Sequence, residues 1–203
     1  MQFPARAGFI LVVLGSLGCL HTVQVQIDAL LPRYVSPTPA RRVILPLVLV
    51  YDPNEFPEEV PLEVPGGFPG QPTVRGARSL VTRHLPAALM TMFEHVDVVD
   101  SPARIPRGAV VGRVRFVEVG LVIAAGGGTA VGTLEWSLSL QRPGEERVFY
   151  SWAEKTVGTR EGAGAFGRLD PSPMVQGAIE ASLRGLLKDL DSRGVAQQLT
   201  EVN

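Results

Sequence analysis

The chain has 203 residues, and 19 Lys and Arg against 20 Asp and Glu give a formal net charge of -1. Hydrophobic residues make up 45% and charged residues 19%, a composition typical of a folded domain and unlike that of a disordered or coiled-coil chain. The near-neutral charge argues against a general nucleic-acid binder, which needs a basic field. A single cysteine excludes an internal disulfide, a four-cysteine zinc site and an iron–sulfur cluster.

The N-terminus has the pattern of a targeting segment. Arg6 precedes an uncharged apolar run over residues 7–17, and Gly18 and the sole cysteine, Cys19, follow it. At about 1.5 Å per residue the run is too short to cross a hydrocarbon core of roughly 30 Å, but it has the length of a signal-peptide apolar region. The pattern predicts a signal peptide over residues 1–18. The alternative is that Cys19 is a buried apolar residue of an N-terminal anchor helix.

Residues 16–19 resemble the lipobox of bacterial lipoproteins, in which the cysteine is lipidated and becomes the mature N-terminus. Gly18 is the small residue that this family places before the cysteine. The resemblance implies cleavage between Gly18 and Cys19 and a lipid-modified Cys19 whose acyl chains, palmitate among them, give stable membrane attachment. Leu20 is not the aspartate that keeps many lipoproteins at the inner membrane. The resemblance therefore implies the periplasmic side of the outer membrane, with an inner-membrane lipid anchor as the alternative.

Residues 19–42 are predicted to be a lipidated N-terminus and an extended tether. Residues 21–27 alternate polar and apolar side chains as a short strand would, and three prolines then interrupt the chain. Residues 43–50 form an apolar, β-branched run that predicts a buried strand. Because Pro46 within it lacks a backbone donor, we expect this strand to be bulged or to lie at a sheet edge.

Residues 52–73 are a proline- and glycine-rich insertion in the predicted domain. Their proline density is incompatible with a helix or a central strand. We interpret the insertion as a solvated loop or, alternatively, as a partner-docking loop. In the second case its candidate partner contacts are Pro53, Phe56, Pro57, Pro61, Pro65 and Phe68.

A helix and a short strand are predicted next. Apolar residues spaced three and four apart between residues 74 and 93 indicate an amphipathic helix. Pro86 predicts either a kink or a helix that begins near Leu85 with the proline in its first turn. Residues 96–99 then predict a short strand.

Three longer strands are predicted to form an antiparallel meander. Alternation over residues 110–124 changes phase near Phe116, which predicts a β-bulge there. Residues 130–140 alternate cleanly, and Trp136 shares a face with leucines, so we expect it in the core. The third strand begins at residue 148.

The last predicted element is a helix with a regular apolar stripe over residues 175–190, which Ser172 and Pro173 begin. Residues 191–203 are predicted to be a C-terminal tail or a short helix. The order of elements predicts an α+β fold: a single domain over residues 43–190 with a mainly antiparallel sheet of four to five strands and two helices packed on one face.

The sequence indicates little catalytic chemistry. It has no phosphate-binding lysine loop and no nucleophile elbow. On the predicted helix, His84 and His95 are too far apart to bind one metal, and both they and His21 are interpreted as surface or helix-end residues. Five carboxylates on or beside strands are interpreted as solvent-face partners of basic residues: Asp97, Asp100, Glu118, Glu135 and Glu154. We therefore expect no enzymatic activity, no metal site and no cofactor.

The lipobox, the order of elements over residues 41–190 and the final helix look like small Gram-negative lipoproteins. Among these are the YajG-like lipoproteins, the lipopolysaccharide-assembly lipoprotein and the auxiliary lipoproteins of ABC transporters. Apart from Cys19, no motif residue carries over. The resemblance implies a membrane-anchored periplasmic lipoprotein that is a non-enzymatic accessory or scaffold subunit of a cell-envelope assembly or transport complex, with an envelope protein as partner and no nucleic acid. The alternative is a carrier of a lipid or other apolar ligand.

Overall fold

The computed structural model describes residues 24–27, 42–61, 73–123, 129–161 and 172–200. These residues contain two sheets and three α-helices. The strands are β1 (Gln24–Gln26), β2 (Leu47–Tyr51), β3 (Glu59–Pro61), β4 (Thr73–Arg75), β5 (Val96–Val99), β6 (Val110–Ile123), β7 (Thr129–Gln141) and β8 (Val148–Glu161). The helices are α1 (Leu85–Leu89), α2 (Ser172–Ser192) and α3 (Val195–Thr200).

The large sheet has the strand order β5-β2-β6-β7-β8, and the small sheet has the order β1-β4-β3. Strands β6, β7 and β8 form the predicted antiparallel meander, whereas β2 runs parallel to both β5 and β6. Parallel neighbours need crossover connections. Helix α1 lies in the connection from β2 to β5, and residues 100–109 connect β5 to β6. The α+β prediction of a single domain is confirmed.

The position of Pro46 corrects the edge prediction for the strand at residues 43–50. Strand β2 begins at Leu47, one residue after Pro46. It lies inside the sheet and is paired on both sides. The Pro46 carbonyl oxygen accepts a hydrogen bond from the Val110 N–H at 2.9 Å. Because the proline stands just before the strand, its missing N–H leaves no gap in the ladder. Val43 makes a separate bridge with Phe93.

The predicted β-bulge is present in β6. Phe116 lies opposite Trp136, but Glu118 lies opposite Glu135, so Val117 is the extra residue and is exposed. The bulge moves the inward face from Phe116 to Val119, which is buried. The long β6–β7 hairpin therefore keeps one apolar face despite the change of phase.

Pro86 lies in the first turn of α1, one of the two arrangements that the sequence predicts. A π-helical turn, Leu80–His84, precedes it, so the helical segment changes geometry just before the proline. The helix predicted over residues 74–93 is accordingly shorter at its start, since residues 73–75 form β4.

Helices α1 and α2 both lie on one face of the large sheet. Helix α2 covers β7 and β8, and α1 contacts α2 and β5. The largest buried side chain of this face is Trp136. On the opposite face, the crossover at residues 100–109 covers β2, because Ile105 and Ala109 pack against Val48 and Val50. This explains why β2 is buried on both faces.

Candidate functional site

The small sheet attaches the N-terminal segment to the domain. Strand β1 pairs in parallel with β4, with Val25 opposite Val74. Val25 and Ile27 are fully buried, and each contributes about 2 kcal/mol of hydrophobic stabilisation before entropy is subtracted. The short strand predicted within residues 21–27 is therefore present as β1, and residues 24–27 belong to the folded core and not to an extended tether.

His84 helps to hold this segment. Its Nε2 atom lies 3.0 Å from the carbonyl oxygen of Ile27. The ring is buried at the junction between the π-helical turn and α1, so it is a helix-end residue, as predicted, but not a surface residue. His95, by contrast, is exposed, and His21 lies outside the described residues.

Replacing Ile27 with alanine tests whether β1 is part of the domain. We expect Ile27→Ala to lower the free energy of unfolding by about 2–4 kcal/mol, because it leaves a cavity in a fully packed site. Urea unfolding followed by tryptophan fluorescence would measure this. The control is Gln26→Ala at the neighbouring position, the last residue of β1, whose side chain is exposed and whose loss should change stability by less than about 0.5 kcal/mol. Equal and small changes in the free energy of unfolding for both variants would show that this segment is an extended tether and not part of the domain.

The first half of the proline-rich insertion is folded against the domain. The ring of Phe56 is fully buried and lies 5.5 Å from the rings of both Tyr51 and Phe116. A guanidinium nitrogen of Arg78 lies 3.5 Å from the Pro53 carbonyl oxygen. Residues 52–61 are thus a packed extension of the core where they follow β2.

The six candidate partner contacts of this insertion therefore differ in their exposure to solvent. Phe56 is not available to a partner, because its ring is in the core, and that prediction is wrong. Pro57 and Pro61 are exposed and Pro53 is half-buried. Pro65 and Phe68 lie outside the described residues, as do Gly18 and Cys19.

Strand β8 is a long sheet edge. It runs for 14 residues and pairs along one side with β7, and none of the described strands pairs with its other side. On the face away from the helices it carries the exposed residues Ser151, Ala153, Lys155 and Val157. The opposite edge, β5, has only 4 residues. An unpaired edge of this length is a template for another strand.

The carboxylates of the meander are neutralised locally. Glu118 and Glu135 lie opposite each other, and the Nζ atom of Lys155 is 3.2 Å from the first carboxylate and 3.8 Å from the second. All three side chains are on the face of the sheet away from the helices and are at least partly exposed to solvent, where such ion pairs contribute little to stability. The predicted pairing of carboxylates with basic residues is confirmed here for Glu118 and Glu135.

Helix α2 touches the sheet directly along its length. Near its start, the Thr156 hydroxyl lies 3.0 Å from the Ala178 carbonyl oxygen. One turn further, Trp136 donates a hydrogen bond from Nε1 to the Ser182 hydroxyl, and Trp136 is fully buried as predicted. These contacts leave no layer between α2 and the sheet for an apolar ligand.

The end of α2 is fixed by a polar contact that the sequence did not indicate. Tyr150 donates a hydrogen bond from its hydroxyl to Asp189 Oδ2 at 2.9 Å, and Arg193 Nε lies 3.0 Å from the same oxygen. Burial raises the pKa of the Tyr150 hydroxyl, and the Asp189 carboxylate raises it further. The hydroxyl therefore stays protonated in the folded protein at pH values where a free tyrosine ionises.

This pKa shift makes stability depend on pH. Because the folded-state pKa of Tyr150 is raised, its contribution is complete below the unfolded pKa of about 10 and is lost as pH rises above it. We expect the free energy of unfolding to fall above about pH 10. Urea titrations between pH 8 and pH 11 would measure the fall. Tyr150→Phe should show a shallower dependence, and identical slopes would contradict the assignment.

Neither a group of metal-ligating side chains nor a membrane-spanning helix is found within the described ranges. Within them, no three His, Cys, Asp or Glu side chains lie close enough to hold a metal ion. No helix in the same part of the chain is both long and apolar enough to cross a membrane.

The fold has a solved counterpart. A Xanthomonas campestris protein assigned to the family DUF330 superposes with a TM-score of 0.54 at 13% sequence identity, covering 89% of this chain and 99% of that chain. A minor lipoprotein from Acinetobacter baumannii is more distant, with a TM-score of 0.45 and 10% identity over 74% of this chain and 94% of that one. No protein-family model and no curated protein matches the sequence. The first likeness shows a shared fold and leaves the function to be argued from the chain itself.

Proposed function

We propose that the protein is a lipid-anchored accessory protein of a bacterial cell envelope, held on the periplasmic side of the outer membrane through Cys19. The observation that carries the proposal is the position of the sole cysteine, directly after an uncharged apolar run and Gly18. A diacylated cysteine at this point would attach the domain without a spanning helix. The protein acts on no substrate and serves as a scaffold for another component.

The partner is an envelope protein that binds along β8. Three features of this strand support the choice: its length of 14 residues, its unpaired side among the described strands, and its uncharged exposed residues Ser151 and Ala153. Strand addition supplies main-chain hydrogen bonds along such an edge. The single lysine, Lys155, is engaged by two carboxylates of the same sheet, so it presents no isolated charge to a partner.

Among the described residues, no contact supports the carrier alternative. A ligand between helix and sheet would have to displace the Trp136–Ser182 hydrogen bond and the buried side chains of α2 that pack on the sheet. A buried polar group that loses its partner costs roughly 1–3 kcal/mol. The scaffold function requires no such opening.

Site-specific photo-cross-linking in intact cells tests the proposal. A photoreactive amino acid at Ala153, which is exposed on β8, should form a covalent adduct with an envelope protein. Ala87 on α1 is also exposed and is the matched control, which should form none. Absence of adducts at both Ala153 and Ser151, in protein that carries its acyl group, would refute β8 as the binding edge.

A further inference from the structure

The docking of β1 leaves very little chain between the domain and its anchor. Four residues separate Gln24, the first residue of β1, from Cys19. A fully extended chain spans at most about 3.5 Å per residue, so these five steps reach roughly 17 Å. Because Val25 and Ile27 are buried in the domain, β1 cannot unfold freely to lengthen this connection.

The register of the small sheet defines which end of the domain the connection enters. Gln24 lies opposite Thr73, and Thr73 lies opposite Pro61 on its other side. Adjacent strands are about 5 Å apart, so these three residues form one end of the sheet within about 10 Å of each other. We infer that this end, formed by Gln24, Thr73 and Pro61, lies against the surface of the membrane, with the lipid headgroups as its partner. The inference rests on the proposed lipid at Cys19.

The charge of this end agrees with contact to headgroups. Gln24, Thr73 and Pro61 carry no charge, so their approach to the membrane desolvates no ion. The charged residues of the small sheet, Glu59 and Arg75, lie at the other end of its strands and neutralise each other at 3.1 Å. The charged end of the sheet is thus directed away from the anchor.

The turn between β7 and β8 provides a comparison position for a test of this orientation. The turn between β7 and β8, which contains Glu145, lies at the end of the large sheet where β2 begins. The proline-rich insertion follows the other end of β2 and packs on Phe116, which lies six residues along β6 from Val110, or roughly 20 Å. Glu145 therefore lies at the other end of the large sheet from the part of the insertion that precedes β3, and it serves as the comparison position.

Distance-dependent quenching on vesicles tests this orientation. The full chain would be isolated from cells with its acyl group, and Pro61→Cys and Glu145→Cys would each be labelled with a thiol-reactive fluorophore. Acylation consumes the thiol of Cys19, so the new cysteine alone reacts. In phosphatidylcholine vesicles with nitroxide-labelled headgroups, we expect quenching at position 61 to be several-fold stronger than at position 145.

A linker variant is the control for the short connection. A flexible Gly/Ser insertion of about 20 residues between Leu20 and His21 adds roughly 25 Å of reach and should abolish the difference between the two positions. Equal quenching in the acylated, vesicle-bound protein without the insertion would overturn the inferred orientation and leave the anchor intact. Protein that carries no acyl group and does not bind vesicles would overturn the proposed anchor itself.

Discussion

Gly158→Ala is expected to lower the free energy of unfolding by about 3 kcal/mol or more, although it adds a single methyl group. A Cβ atom at Gly158 would lie 2.1 Å from the Met174 carbonyl oxygen and 2.6 Å from the Ala178 nitrogen. Both are backbone atoms of α2, so the clash can be relieved only if the helix moves away from β8. Such a movement would also strain the hydrogen bond between Trp136 and Ser182.

The facing glycine is a matched control. A Cβ atom at Gly177 would meet only the Gly158 Cα, at an ordinary contact distance of 3.5 Å. Because alanine is favoured over glycine in helices by about 1 kcal/mol, Gly177→Ala should be neutral or stabilising. Urea unfolding of both variants would measure the difference. Similar effects of the two substitutions would show that α2 does not approach the sheet as closely as described.

Cys19→Ser is expected to abolish fatty-acid labelling of the protein completely. Serine has no sulfur atom to form the thioether that the lipobox resemblance implies, and each buried methylene of a lipid chain contributes about 0.8 kcal/mol to membrane binding. In the Cys19→Ser variant, cleavage of residues 1–18 should fail as well, because the mature N-terminus is defined by the lipidated cysteine. Metabolic labelling with palmitate and the mass of the isolated protein would measure both effects.

Ser16→Ala provides the control for this substitution. It changes the same short segment and leaves Cys19 in place, so labelling and processing should continue. Labelling of the Cys19→Ser protein at the level of the unchanged chain would show that the lipid, if any, is attached elsewhere.

The meander and its bulge could be predicted from the sequence because they follow from local patterns. Side chains alternate faces every residue in a strand, so the phase change near Phe116 is visible in the residues themselves. The stripe of α2 is equally local, since apolar residues three and four apart lie on one face. Trp136 could be placed in the core because its neighbours in register are leucines.

The small sheet could not be predicted in the same way. The alternation over residues 21–27 indicates a short strand, but β3 and β4 have three residues each, too few for a periodic pattern, and no local pattern shows that β1 pairs with β4 from a distant part of the sequence. The sequence does not indicate that Phe56 is buried, because prolines and acidic residues surround it and its position depends on contacts with Tyr51 and Phe116. Pro46 predicts a bulge or a sheet edge because composition does not reveal that β2 starts after it.

The same distinction between local patterns and long-range contacts applies to the candidate site. Cys19 could be proposed from the sequence, since a targeting segment is a linear pattern. The β8 edge and the end of the small sheet could not, because a pattern of alternation does not reveal which strand lacks a neighbour. The contact between Tyr150 and Asp189 also joins distant residues and has no local signature.

The most direct measurement of the proposed anchor is the mass of the N-terminal peptide of the protein isolated from membranes. A lipid anchor predicts a peptide that begins at Cys19 and carries the added mass of a diacylglyceryl group and an amide-linked acyl chain. A peptide that begins before residue 19 and contains Cys19 with a free thiol would contradict it.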